Sequence, residues 1–442
     1  MKIHLDTIGC RLNQSEIETY ARQFRAEGHE LVETPSEADL TVINTCDVTS
    51  AAAADSRKKI RGAARAGSGK IVATGCWATL NPASAQNLPA VSQVILNDSK
   101  DSLVSEILNI SLKKFDLEPL VRQPVPGSRM RTRAFIKVQD GCDNRCTFCI
   151  TTVARGGGRS VTAKKILADI HAASEGGAQE IVLTGVHLGS WGQDFVPQKN
   201  LRQLVEMILG ESDVQRLRLS SLEPWDLDDG FFVLWRDKRL ARHLHLPLQS
   251  GSSATLKRMA RKTTPNSFAN LLDSARSQIP DVAISTDVIA GFPGETETEF
   301  HENIEFVNRM NFAGGHVFTY SARPGTKAAK MPDQVPHATR KLRNAALRSV
   351  IEKSSEAYRA KFLGDQVSVL WETATYLDDD LWQVSGLTDN YIRVYSKTPH
   401  HIWNQITHVQ LTGVIDGGMV GNIISDSEIL SIMGLMDAST QE

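Results

Sequence analysis

Half of the chain's six cysteines fall within one short stretch, QDGCDNRCTFC, at residues 139–149. Cys142, Cys146 and Cys149 follow a C-x3-C-x2-C spacing. Thiolates gathered this closely suit metal binding, and a [4Fe–4S] cube bound by only three of them keeps one iron open to an outside ligand. An open position is what separates catalytic from structural metal centres. A zinc site completed by a distant fourth ligand is the competing assignment, although zinc knuckles usually pair C-x2-C units and no second unit is present. A ferredoxin-type carrier would need a fourth thiolate.

The remaining cysteines, Cys10, Cys46 and Cys76, each close a run that reads as a strand: KIHLDTIGC, LTVINTC and KIVATGC. Helical segments separate these runs, one from Asn13 to about Glu27 and an Ala-rich one near 50–66, with another after Cys76. Strands alternating with helices predict a parallel, doubly wound sheet. The carboxyl ends of such strands line one crevice, so three residues distant in sequence converge there. Three buried structural cysteines are the plainer alternative. Recurrence of the same strand-end position three times favours a shared site.

Downstream, RQPVPGSR (122–129) reads as a linker, and the strand–helix rhythm resumes at RAFIKVQDGC. EIVLTGVHLG, RLRLSSLEP, HLHLPLQSG, AISTDVIAGFPG and GGHVFTYSARPG read as buried strands ending in turn residues. They predict a βα barrel, complete or partial. A helix over about 337–361 leads to Gly364, after which DQVSVLWE, LWQVSGLT, YIRVYSK and ITHVQLTGVIDGGMVGNII predict a small β-barrel. The expected organisation is an α/β chain with an N-terminal domain over 1–115, a barrel core over 128–360, an all-β barrel over 361–430 and a tail over 431–442.

The length of 442 residues exceeds one ordinary domain, and the 41% hydrophobic and 23% charged fractions are those of a globular protein. Six cysteines in so long a chain do not make a disulfide scaffold. No apolar run reaches transmembrane length, and MKIHLDTIGC reads as a strand, not a secretory signal; a cytoplasmic protein without membrane contact is expected. The net charge of −2 carries no global nucleic-acid signal, yet cations cluster. One group is Arg129, Arg131, Arg133 and Lys137, continued by Arg145, Arg155 and Arg159. A second is Lys257, Arg258, Arg261 and Lys262, and a third is Arg323, Lys327, Lys330, Arg340, Lys341 and Arg343. Such groups either hold phosphates or form solvated faces.

C-x3-C-x2-C at the end of the first strand of a βα barrel resembles the signature of the radical S-adenosylmethionine (SAM) enzymes, and Phe148 matches the aromatic usual there. The whole layout resembles the methylthiotransferases. TIGCRLNQSEIE, NTCDVT and ATGC resemble their N-terminal cysteine motifs, LPLQSGS, TDVIAGFPGET and YSARPGTKA their core motifs, and the last module a TRAM domain, an RNA-binding barrel. The resemblance implies two [4Fe–4S] clusters, on Cys10, Cys46 and Cys76 and on Cys142, Cys146 and Cys149, each with an open iron. The second would chelate SAM and yield a 5′-deoxyadenosyl radical; the first would assemble or carry the sulfur. SAM then serves as both methyl donor and radical source. Implied partners are tRNA at its anticodon loop, an electron donor such as flavodoxin or ferredoxin, and a sulfur source.

SAM is expected along the strand ends, at Thr184, Gly185, Ser221, Glu223, Gln249 and Asp287, each equally suited to a structural polar role. GCRLNQ and LTGVHLGSWGQD resemble the branch acting on N6-threonylcarbamoyladenosine at tRNA position 37, more than the branches acting on isopentenyladenosine or on a ribosomal-protein aspartate. Methylthiolation at C2 of that adenine would follow, with Arg155 or Arg159 clamping the threonyl carboxylate. A non-catalytic iron–sulfur module for RNA binding or iron sensing is the rival of another class, and full barrel motifs argue against it. Two departures stand out. ITTVARGGGRS has Thr151 and Thr152 where relatives carry a proline-bearing stretch, its glycines suggesting a flexible loop. Asp378, Asp379 and Asp380 make the last module acidic, leaving Trp382, Tyr391, Tyr395 and Trp403 to stack unpaired bases or to pack its core.

Overall fold

The computed structural model describes residues 1–112, 115, 132–377 and 380–424. The expected linker, Arg129, Arg131, Asp378, Asp379 and the tail over 431–442 lie outside the described residues.

Strands β1 (Lys2–Thr7), β2 (Glu30–Leu31), β3 (Leu40–Thr45), β4 (Lys70–Gly75) and β5 (Val91–Ile95) form a wholly parallel sheet in the order β2-β1-β3-β4-β5. Side chains alternate across the strands, so Val42 and Val72 enter one core with Tyr20 and Phe24 of helix α1 (Arg11–Ala26). Their neighbours Ile43, Ile71 and Ala73 enter a second core with Ile60 of helix α2 (Ser50–Arg65). Helices on both faces make the sheet doubly wound, as expected. The strand order reverses at β1 and β3, which is where such sheets open a ligand crevice.

The core has six parallel strands: β6 (Arg133–Lys137), β9 (Glu180–Thr184), β10 (Arg216–Leu219), β11 (His243–His245), β12 (Ala283–Ala290) and β13 (Gly314–Thr319). A short antiparallel pair, β7 (Gln139–Asp140) and β8 (Arg159–Ser160), flanks the cysteine loop. The β10–β11 seam is joined by single bridges such as Ser221 to His245. Among the described residues β6 and β13 do not pair, so the barrel is partial. Its open edge at β6 is met by α1, where Ser15 Oγ accepts a hydrogen bond from the Lys137 amide at 3.2 Å.

Strands β14 (Gln366–Tyr376), β15 (Trp382–Thr388), β16 (Arg393–Thr398), β17 (Ile406–Ile415) and β18 (Gly418–Ile423) close into a five-stranded barrel. It docks against the amino ends of the core strands. The RLRL alternation of β10 sends Leu217 and Leu219 into the hydrophobic core and leaves both arginines on the opposite face. Arg218 donates to both oxygens of Glu180 (2.7 and 3.0 Å) and to the carbonyls of Thr388 and Asp389. Tyr391 follows them inward, stacks on His243 with ring centroids 4.3 Å apart, and meets Arg11 at 3.0 Å. Arg218 and Glu180 are both fully buried. Removing the cation strands a charge, so Arg218→Ala is expected to cost about 3–5 kcal/mol in chemical denaturation. A loss below about 1 kcal/mol would mean the pair does not hold the two barrels together.

No described helix is long and apolar enough to cross a membrane.

Candidate functional site

Cys10 caps the amino end of α1, Cys46 follows β3, and Cys76 opens helix α3 (Cys76–Leu80) directly after β4. Cys10 and Cys46 thus flank the reversal point of the sheet. Gly9 allows their approach: at φ +107°, a Cβ there would lie 2.8 Å from Cys46 Sγ. Ser56 Oγ bonds both the amide and the carbonyl of Cys46 at 3.0 Å, fixing its backbone. Burial pushes the Cys46 thiol up to about 11, with Cys10 and Cys76 adding to the rise as electrostatic neighbours. Cys10, Cys46 and Cys76 thus stand at the ends of three adjacent strands of the sheet. None of the six cysteines is in a disulfide.

The second triad sits beyond β6 and β7. Gly141 is required there, with φ +70° and a virtual Cβ only 1.9 Å from the Gly157 carbonyl oxygen. The Cys142 amide donates to Gly156 O at 3.0 Å, and Gly158 N donates to Asp143 at 3.2 Å. The triple glycine is thus packed against the cysteine loop. Thr147 anchors the loop three times: its amide donates to Met259 O (3.0 Å), its hydroxyl to Arg258 O (2.9 Å), and its carbonyl accepts from Ala328 N (2.9 Å). Phe148 packs edge-on against Phe292 in the small core beneath.

Two charged groups stand beside this triad: His187, which has no role assigned from the sequence, and Arg261, grouped there with phosphate-holding or solvated cations. Arg261 places Nη1 3.8 Å from Cys146 Sγ, is held by both oxygens of Glu223 (3.1 and 2.6 Å), and lies over the Trp225 ring. His187 is 2.6 Å from Asp226; burial opposes its charge, but Asp226 and Cys142 raise its pKa to about 10. Its motif, GVHLGSWGQD, was legible, while its contact with Cys142 was not.

Arg155 does not face a substrate. It is 3% exposed, and its guanidinium donates to Glu16 (2.9 Å), Asp140 (2.9 and 3.1 Å) and Asn13 (2.7 Å). Lys100 donates to the other Glu16 oxygen at 2.5 Å. Burial alone would raise the Glu16 pKa, but Arg155 and Lys100 overrule it and hold the carboxylate ionised. Asn13 Oδ1 also lies 3.8 Å from Cys10 Sγ, and Asp140 Oδ1 accepts from the Gly141 amide. Asn97 completes the join, contacting Cys76 Sγ (3.8 Å) and Ala154 O (2.7 Å). Arg155 therefore ties the two triads together, and the expected clamp reduces to Arg159, which is exposed.

The other strand-end residues divide similarly. Thr184 is buried, and its carbonyl accepts from Val138. Gly185 lies against the Gln139 side chain. Glu223 is committed to Arg261. Gln249, at φ +70°, bonds through its backbone to Asp287 and Ile289, and Ser221 is exposed at the β10–β11 seam. Asp287 Oδ2 is 3.2 Å from His245, while its buried Oδ1, and Ser220 Oγ just after β10, have no hydrogen-bond partner among the described residues. Buried polar atoms without partners are costly and invite a polar ligand. Ser220 was missed because a strand-end serine carries no pattern of its own.

Three thiols without a fourth, placed twice, suit cubes with one open iron. Among the described residues no group of three or more His, Cys, Asp or Glu is gathered around a single-ion position. The orphaned Ser220 and Asp287 atoms at the barrel mouth suit SAM.

Among the described residues, several of the sequence-clustered cations are used internally. Arg133 pairs with Glu372, Lys137 with Asp101, Arg258 with Glu299, Arg323 with Asp47, and Arg343 with Glu295. Tyr391 is likewise unavailable to RNA, being inserted beneath the core barrel. Trp382 sits edge-on to the exposed Tyr376 and to His401.

Residues 2–97 match the model of an uncharacterised protein family, UPF0004, and residues 136–307 that of the radical SAM superfamily. The threonylcarbamoyladenosine tRNA methylthiotransferase MtaB of Bacillus subtilis is 35% identical, the match covering 92% of each chain. That of Thermotoga maritima is 36% identical over 89% of this chain and 90% of the relative. A tRNA-2-methylthio-N(6)-dimethylallyladenosine synthase of Fusobacterium nucleatum is 33% identical over 84% and 88%. Among solved structures, the radical SAM methyltransferase TsrM of Kitasatospora setae shares the fold, with a TM-score of 0.56 at 13% identity, covering 74% of this chain and 75% of that one.

Proposed function

Because the chain belongs to the radical SAM methylthiotransferases, enzymes that use [4Fe–4S] clusters and SAM, we propose that it converts N6-threonylcarbamoyladenosine at position 37 of tRNA to its 2-methylthio derivative. The observation that carries this choice is the match to relatives named for that nucleoside, at about one-third identity over nearly the whole of both chains. Electrons would come from a donor such as flavodoxin or ferredoxin, and sulfur from a separate source, in the cytoplasm.

When bound, SAM and the clusters would supply a methyl group, a carbon-centred radical and a place to carry the delivered sulfur. The chain's own residues hold, orient and shield. Cys142, Cys146 and Cys149 would hold the SAM-binding cluster, with Arg261 beside Cys146 and His187 beside Cys142. Cys10, Cys46 and Cys76 would hold the second. Ser220, Ser221, Gln249 and Asp287 line the strand ends where SAM would lie, with Thr184 and Gly185 shaping the floor. The Arg155–Glu16–Asp140 network fixes one triad relative to the other, and such preset geometry is what lets two reactive centres meet on one substrate atom. Arg159 is the exposed cation suited to the threonyl carboxylate, and Tyr376 with Trp382 offers aromatic faces for unpaired bases.

Deleting the gene in its host and digesting total tRNA to nucleosides tests the substrate. The 2-methylthio-threonylcarbamoyl nucleoside is expected to vanish, leaving its unthiolated parent. A second assignment is favoured by the Fusobacterium relative. Loss of only the isopentenyl analogue would establish that one and refute the first.

A further inference from the structure

Of the sequence-clustered cations that remain after the internal pairs are set aside, five gather near one loop, while Arg159 and Lys341 lie outside that group. Arg145, Lys257, Lys262, Lys327 and Lys330 are all exposed. Among the described residues none of the five has an ion-pair partner, whereas their neighbours Arg258 and Arg261 do. They come from three segments separated by more than a hundred and by more than sixty residues. Thr147 joins those segments through its bonds to Arg258, Met259 and Ala328. Each of the five lies within a few residues of Thr147 or of one of its partners. They therefore stand around the rim of the loop that carries Cys146, at the carboxyl ends of the barrel strands.

Uncompensated side chains of one sign, drawn from three loops to one mouth, form a polyanion-binding surface. We propose that Arg145, Lys257, Lys262, Lys327 and Lys330 form the rim that grips the phosphates flanking the target base of tRNA. A base entering the mouth brings its neighbouring phosphates across this rim. An acidic electron-donor protein is the other anionic partner with reason to approach the central cluster. It needs only proximity to that cluster, whereas RNA must enter the mouth itself, and the cations are drawn from three separate segments. This inference rests on the tRNA reading above and adds which residues bind the backbone.

The test uses full-length reconstituted protein and purified tRNA carrying threonylcarbamoyladenosine at position 37, with affinity measured across a salt series. Each phosphate contact in single-stranded RNA contributes roughly 0.7 to the slope of log affinity against log salt. Combining Lys257→Ala, Lys262→Ala and Lys327→Ala should lower the slope by about 2, with iron content and thermal melting unchanged. Lys238→Ala with Lys353→Ala removes charge at the other end of the barrel, ahead of β11 and beside Ser354, whose hydroxyl bonds Phe312 O ahead of β13. That pair should leave the slope as it was. A rim variant that keeps the parent's slope overturns the inference. So does one whose only defect is slower reduction by flavodoxin, which would make the rim the donor's dock. Parent protein that binds no tRNA at any salt would overturn the functional reading as well.

Discussion

Replacing Cys142, Cys146 and Cys149 together by alanine halves the iron of anaerobically reconstituted protein, from about eight atoms per chain to about four, and abolishes reductive cleavage of SAM. The magnitude follows from the two separate triads, each suited to one cube. The loop itself should survive the change. Thr147 holds it by three bonds that use no cysteine side chain, and Gly141 and Gly156 set its turn through the backbone. Loss of iron therefore reports ligand loss and not collapse, and near-native melting checks this. Iron near four in the parent, or zinc in its place, would remove the second cluster from the account.

Cys46→Ala is expected to leave 5′-deoxyadenosine formation from SAM in place while eliminating the thiolated nucleoside. Cys46 belongs to the other triad, across the Arg155 network from the barrel mouth. Its backbone is fixed by Ser56, and its thiol lies under Gly9, so alanine fits the space without disturbing the strand. Radical generation needs only the central triad; carbon–sulfur bond formation needs both. Equal loss of both activities in a folded Cys46→Ala protein would deny this division of labour. Arg155 sharpens the expectation, because it is bonded to the Asp140 turn ahead of Cys142 and to the Asn13 that meets Cys10. The two triads are mechanically joined but chemically distinct.

What the sequence determined by itself was local and periodic. The strands KIHLDT, LTVINT and KIVATG are apolar enough to be buried, their ends are marked by turn residues, and the cysteines beyond them are few enough to notice. A parallel sheet aligns its strand ends, so Cys10, Cys46 and Cys76 stand at neighbouring ends of β1, β3 and β4. The same logic, a strand followed by C-x3-C-x2-C, placed the second triad at a barrel mouth, and alternating short strands after Gly364 foretold the closed β-barrel.

Only the tertiary structure decided which charges are free. A sequence displays every arginine alike, but a buried guanidinium must find a carboxylate, and that partner is often far along the chain. Arg155 meets Glu16 139 residues away, so it became a brace between the triads and not a clamp for substrate. Arg261 was drawn to Glu223, His187 to Asp226 and Cys142, and Tyr391 into the base of the core barrel. The cost of burying an uncompensated charge enforces each pairing, and it acts through space, which no spacing in sequence records. Among the described residues, Arg145, Lys257, Lys262, Lys327 and Lys330, near the loop that Thr147 pins, are cations that no carboxylate claims.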